Sequence, residues 1–307
     1  MRILFIGTVR FSRHCLKEIL DRGSNVVAVL TMSPEKAAFN TDYEDLEPVA
    51  AEKGIPVFRV ERLNDPENIQ IIKSLAPDVI FVFGFSQIIS REILAIPSLG
   101  CIGTHPALLP ENRGRHPLIW TLIEDLPESG LTFFFLDEGA DSGDIVWQRS
   151  FPVTDEDDAG TLYEKIMKLA AKGIGDILPL LEHGKLKGTP QDSSKATYWP
   201  KRSEKNGEID WSGSARTVWN LVRALTRPYI GAHTFFGASR LTVWRASIVS
   251  EDFLAAGAEE SIPGQIIMLE PDGPIVRTGE GLIHIESWEG TSVSVMEPGD
   301  ILGGQIS

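Results

Sequence analysis

Four short apolar runs occupy the first 85 residues, and each breaks off at a turn. They are ILFIG at 3–7, NVVAVL at 25–30, a run at 55–60, and PDVIFVFGF at 77–85. Unbroken apolar runs of this length, without polar alternation, fit strands covered on both faces, the environment of a parallel sheet. Between the first two, Phe11, Cys15, Leu16, Ile19 and Leu20 recur at helical spacing, with Ser12 near the start and Gly23 just past the end. Residues 66–75 supply a second helical stretch. Strands alternating with helices predict right-handed crossovers and an α/β fold, a doubly wound, Rossmann-like, mostly parallel sheet.

The pattern continues with strands expected at 100–105, 131–136 and 144–153, a short helix at 116–123 and a long one at 161–183. Gly173 and Gly175 weaken the middle of that long helix. Residues 184–209 are polar and turn-rich. Beyond them, Ser212 or Ser214 caps a helix that runs to Leu225. Short alternating segments follow near 233–238, 240–248, 264–269, 274–277 and 282–287, punctuated by glycine and proline. Such spacing predicts a small β-barrel, OB-like. The expected organisation is a sheet domain over 1–188, a linker over 189–208 and a C-terminal domain over 209–307.

Charge narrows the partners. Against 29 Lys and Arg stand 43 Asp and Glu, a net charge of −14. Binding through phosphate neutralisation needs a basic face, so nucleic acid and anionic membranes are not expected as partners. Cys15 and Cys101 are isolated thiols with no Cys/His cluster, so no metal is expected and a reducing, cytoplasmic setting is. No stretch approaches the ~20 apolar residues of a membrane helix. The apolar tail segments leave a homodimer open.

In an open α/β sheet, ligands sit beyond the C-terminal ends of the strands, near the point where strand order reverses. Four segments occupy such positions. Gly7, Thr8, Val9 and Arg10 follow the first strand, where backbone amides at a helix start can hold an anion or make an ordinary turn. Neither GxGxxG nor a Walker loop is present, which counts against a nicotinamide oxidoreductase. Residues 83–89 leave the fourth strand. His105 ends the next one and runs into THPALLPENRGRHP, and residues 136–144, LDEGADSGD, carry four acids and two glycines.

The last two segments, about thirty residues apart, resemble the N10-formyltetrahydrofolate-dependent formyltransferases. That group includes enzymes acting on methionyl-tRNA, glycinamide ribonucleotide and nucleotide-linked amino sugars. Residues 3–20, 77–94, 196–202 (ATYWPKR) and 209–236 fit its longer, two-domain members. The resemblance implies direct transfer of a formyl group to an amine without a metal. His105 would hydrogen-bond or protonate the oxyanion of the tetrahedral intermediate, and Asp141 would orient the imidazole and accept a proton from the amine. It places the folate donor along Phe85, Ser86, Gln87, Ile88 and Ile89, packed by Val82 and Leu94. The loop of Asp137, Glu138, Gly139 and Ala140 covers it. The amine substrate would meet Gly7, Thr8, Val9, Arg10, Arg113 and His116.

One position departs from the family. The usual Asn-x-His-Pro reads Gly103-Thr104-His105-Pro106 here. Loss of an oxyanion donor costs ~10²–10³ in rate unless something replaces it. An active enzyme is expected, with an inactive folate- or nucleotide-binding relative as the alternative.

The acceptor is read from charge. Members acting on methionyl-tRNA carry a basic insertion after the second strand. Residues 32–53 here hold Glu35, Asp42, Glu44, Asp45, Glu47 and Glu52 against Lys36 and Lys53. The resulting expectation is the sugar branch: formylation of a UDP- or dTDP-4-amino-4,6-dideoxyhexose, as in pathways for bacterial surface sugars such as pseudaminic acid. Methionyl-tRNA formyltransferase is the alternative.

Overall fold

The computed structural model describes residues 1–37, 42–250, 261–290 and 295–303. Part of the acidic 32–53 segment, at 38–41, lies outside the described residues. The chain forms two compact units. One comprises Met1–Pro117, Glu128–Pro152 and Tyr163–Pro200. The other comprises Leu118–Pro127, Val153–Leu162 and the described residues from Lys201 onward.

The first unit is built on a sheet of β1 (Ile3–Ile6), β2 (Val26–Met32), β3 (Val57–Val60), β4 (Val79–Val82), β5 (Cys101–His105), β7 (Glu128–Phe135) and β8 (Ile145–Pro152). Two short strands, β6 (Arg113–Gly114) and β9 (Tyr198–Trp199), pair separately as a parallel ribbon. The sheet order is β3-β2-β1-β4-β5-β7-β8. Strands β1 to β5 run parallel, while β7 is antiparallel to β5 and β8 to β7. The predicted mostly parallel sheet is therefore present, with an antiparallel edge. Strand order reverses between β1 and β4, so the topological switch point lies at their C-terminal ends.

Helices α1 (Arg10–Asp21), α2 (Pro34–Ala37), α3 (Glu47–Ala51), α4 (Pro66–Leu75) and α5 (Arg91–Leu94) lie between the parallel strands. On one sheet face Phe5, Phe81, Phe83, Phe133 and Trp147 form a continuous row of ring contacts 5.1–5.8 Å apart. On the other, Leu4, Ile6, Ile80 and Val82 join a second apolar cluster with Ile69, Ile72 and Ile93. The unbroken hydrophobicity of the strands has this cause, since alternate residues enter different cores. The helices α6 (Pro117–Ile123) and α7 (Ala159–Glu182) complete the first two hundred residues. Gly173 has a packing role in α7. A Cβ there would stand 2.6 Å from the Phe133 ring.

In the second unit, helix α8 (Ala215–Leu225) is capped by Ser214, whose hydroxyl accepts the Thr217 N–H at 3.2 Å. A five-stranded antiparallel sheet follows, of β10 (Ala232–Phe236), β11 (Ser239–Val249), β14 (Leu282–Glu289), β13 (Gly273–Arg277) and β12 (Ile266–Glu270), in that order. Its two edges are bridged by the tail, as Gly303 N donates to Phe235 O, Leu302 N to Gly264 O, and Ile266 N to Asp300 O, at 2.7–2.8 Å. Buried Arg223 explains why 118–127 and 153–162 cluster with this sheet. Its guanidinium reaches Asp125 at 2.9 Å and the carbonyls of Thr154 and Asp157 at 2.9 and 3.1 Å. Hydrogen bonding from Arg216 holds the Asp125 carboxyl below its ordinary range.

Among the described residues, no helix is long and apolar enough to cross a membrane.

Candidate active site

The exits of β1 and β4 meet at the switch point, and both are tightly filled. Ser12 Oγ accepts the N–H groups of Thr8 and Val9 at 2.9 and 3.1 Å and donates to Phe83 O at 2.6 Å. The Arg10 amide binds Asp42 O, and the Phe11 amide binds the Tyr163 hydroxyl. The helix-start amides expected to be open to an anion are thus occupied within the protein. Arg10 extends away to an ion pair with Glu164 at 2.6 Å. Gly7 and Gly84 are required by packing. A Cβ on Gly7 would stand 2.6 Å from Phe83 O, and one on Gly84 would stand 2.5 Å from Val9 and 2.6 Å from Ser12 Oγ.

The exit of β5 is different in kind. His105 is 5% exposed in its side chain, and its Nδ1 faces Asp141 Oδ2 at 3.6 Å. Its Nε2 lies 2.7 Å from the carbonyl oxygen of Asn112. A carbonyl only accepts, so Nε2 carries a hydrogen and donates it. Nδ1 is then the ring nitrogen aimed at the carboxylate. Asp141 is the more open partner, 23% exposed. Its Oδ2 accepts the Gly114 N–H at 2.9 Å. Its backbone takes φ 56°, in the left-handed region. The preceding turn is fixed by Asp137, whose Oδ1 accepts the Gly139 N–H at 3.0 Å and the Ser142 hydroxyl at 2.8 Å.

The other predicted site residues divide. Phe85 and Leu94 pack against the apolar cluster beside Val82 and Ile89, while Ile88 projects with 72% of its surface exposed. Ser86 is exposed as well. The Gln87 side chain is committed to the preceding loop, accepting Leu63 N at 2.9 Å and donating to Glu61 O at 2.8 Å. Glu138 reaches Arg91 at 3.3 Å, which brings the 137–141 loop to the segment that leaves β4. Ala140 is an exposed residue of that loop. His116 is half-buried at φ 57°.

Arg113 does not reach outward as expected. It is 3% exposed, with its guanidinium held by Gln191 Oε1 at 2.7 and 3.2 Å and by the Tyr198 hydroxyl at 2.9 Å. At Gly103, the space of the family's asparagine is taken by Leu136, whose Cδ2 lies 2.5 Å from an ideal Cβ. Asn112, Gly114, Gln191 and Thr197 support the site without having been foreseen from the sequence.

An imidazole and a carboxylate that converge at a strand end are groups with which general acid–base chemistry can be done. No group of three or more His, Cys, Asp or Glu is arranged to hold a metal among the described residues. Residues 1–178 match the family "Formyl transferase", and residues 201–305 match "Formyl transferase, C-terminal domain". The chain belongs to the formyl transferase family, and it is an N-formyltransferase. A methionyl-tRNA formyltransferase of Caldanaerobacter subterraneus subsp. tengcongensis is 36% identical over 93% of this chain and 91% of its own length. That of Geotalea uraniireducens is 35% identical over 99% of this chain and 95% of its own. Among solved structures, HypX of Aquifex aeolicus in complex with tetrahydrofolic acid has a TM-score of 0.68 at 20% identity, over 95% of this chain and 44% of that one. WlaRD, a sugar 3N-formyl transferase solved with dTDP and 5-N-formyl-THF, has a TM-score of 0.66 at 17% identity, over 93% of this chain and 97% of that one.

These relatives correct the acceptor. The sugar enzyme shares the fold, whereas relatives at 35–36% identity over nearly the whole chain are named for methionyl-tRNA. The amino-sugar expectation is overturned, and with it the exclusion of nucleic acid on net charge. Neither the net charge nor the acidic 32–53 segment decides the acceptor, since phosphate contacts depend on where bases cluster.

Proposed function

We propose that the chain transfers the formyl group of N10-formyltetrahydrofolate to the amino group of methionyl-tRNA. The observation that carries this reading is near-full-length similarity to enzymes of that name, combined with the His105–Asp141 pair. Local charge agrees with it. Lys185, Lys187, Lys195, Lys201, Arg202 and Lys205 fall within twenty-one residues that hold only Asp192 and Glu204 as acids. The five lysines are all exposed. A polyanion would meet a basic segment there despite a net charge of −14.

The segment that leaves β4 suits a planar heterocycle. Ile88 is exposed there, while Val82 and Ile89 are buried. Bound there, the donor supplies an activated carbonyl carbon for an uncharged amine to attack. A ring N–H of His105 donates to the oxygen on which negative charge develops, and Asp141 takes the proton that the amine releases. As the oxyanion collapses, the bond from the formyl carbon to N10 breaks and that proton passes to N10, so that tetrahydrofolate leaves neutral. Burial of His105 keeps this exchange in a low-dielectric environment, where such interactions are strong.

The test is incubation of the full chain with formyltetrahydrofolate and aminoacylated initiator tRNA, followed by mass spectrometry of the released amino acid. Formylmethionine is the expected product. Unmodified methionine, with wild-type folate binding, overturns the acceptor assignment.

A further inference from the structure

Residues 189–200 pass beside the His105–Asp141 pair, and their contacts end on groups that touch it. Thr197 Oγ1 accepts the Asn112 N–H at 2.7 Å, and the carbonyl of Asn112 is the one that holds His105 Nε2. Trp199 packs so closely on Gly114 that any side chain there would collide with its carbonyl, and the N–H of Gly114 holds the Asp141 carboxylate. Gln191 makes the most connections. Its Nε2 donates to the carbonyls of Asp141 at 2.9 Å and Gly143 at 2.7 Å. Its Oε1 accepts two bonds from Arg113, the residue before Gly114. One amide therefore grips the backbone of Asp141 and, through Arg113, the strand that binds its carboxylate.

We infer that Gln191 is a positioning residue for formyl transfer, setting the His105–Asp141 separation without touching a reactant. This rests on the reading of that pair as the reacting groups. Asp141 sits at φ 56°, a left-handed conformation that persists where its surroundings hold it. The two Gln191 donors lie directly on that turn. No other side chain fits the environment equally well. Glutamate keeps the acceptor toward Arg113 but sets a carboxylate oxygen against two carbonyls, and lysine or arginine loses the acceptor.

The discriminating variant is Gln191→Glu, which retains and charges the Arg113 contact, so the fold has a reason to survive. Expected is a fall in kcat of about 10²-fold, the effect of a misplacement near 1 Å, with KM for the folate unchanged. The imidazole ¹⁵N resonances of His105, assigned with His105→Gln and read at one pH, move from their wild-type positions. Wild-type kcat and unmoved resonances overturn the inference. So does a lowered melting temperature with both readouts intact, which would mark Gln191 as structural only. Asp141→Asn, measured alongside, separates the two levels. If it is inert while Gln191→Glu turns over normally, only the positioning role falls. If Asp141→Asn itself turns over normally, the reading of the pair falls and the inference with it.

Discussion

Gly103 marks the place where this chain parts from its family, and the structure converts that difference into a measurable coupling. Gly103→Asn restores the missing amide, but its Cβ would stand 2.5 Å from Leu136 Cδ2 and 3.2 Å from Cγ. Contacts that short force Leu136 out of its rotamer, and overpacking of this kind costs about 1–3 kcal/mol. Leu136 is half-buried against the cluster of Ile80, Val82 and Cys101. Leu136→Ala therefore costs near the low end of the ~2–5 kcal/mol range for core leucines. Because Leu136→Ala removes the atoms with which the new Cβ collides, the double variant should be more stable than the sum of the two losses by about 1–2 kcal/mol. Urea melts of the four proteins measure this directly. The kinetic side follows: Gly103→Asn alone should be slow because the 136–141 turn is disturbed, and the double variant should recover. Additive stabilities would refute the packing argument, and a single variant as stable and active as wild type would refute it more simply.

Three further outcomes are expected. Gly173→Ala should destabilise the protein by about 1–3 kcal/mol despite the better helix propensity of alanine, since the methyl meets the Phe133 ring at 2.6 Å; an increase in stability by urea melts would contradict this. Burial holds the His233 imidazole below its ordinary value of 6.5, so the unfolded chain binds its proton first. Stability should thus fall as pH drops from 6.5 toward the folded value, and His233→Asn should flatten that slope in pH-resolved melts. Burial also pushes the Cys101 thiol up to about 12 and raises that of Cys15. Neither should react with iodoacetamide at neutral pH until the protein is denatured, as intact-mass spectrometry would report.

Elements whose apolar runs or alternation are contiguous in sequence were legible from residues alone. The runs at 3–7, 25–30 and 77–85 and the tail segments near 240–248 and 282–287 fall on observed strands, because each side chain's fate there depends on its neighbours in sequence. The ribbon of Arg113–Gly114 with Tyr198–Trp199 was not legible. Two-residue strands have no period, and their partners are 85 residues apart. Gln191 was hidden for the same reason: it lies in the 184–209 stretch that reads as polar linker, and its bond to Asp141 spans 50 residues. His105 and Asp141 were found through motif resemblance, since one histidine and one of four clustered acids announce nothing individually. The role of Gly84 was not legible either. Its positive φ of 65° and its contacts serve the packing of α1 against β4. The acceptor was missed because the acidic 32–53 segment and the net charge were taken to decide it, whereas phosphate contacts can fall on any other basic stretch of the chain.

The most direct measurement is single-turnover transfer from labelled formyltetrahydrofolate to methionyl-tRNA, run with wild type, His105→Ala and Asp141→Asn. Label on the aminoacyl group with wild type, and none above background with either variant at unchanged melting temperature, is the predicted result. Transfer by both variants at the wild-type rate, or no transfer by a folded wild-type protein, would contradict it.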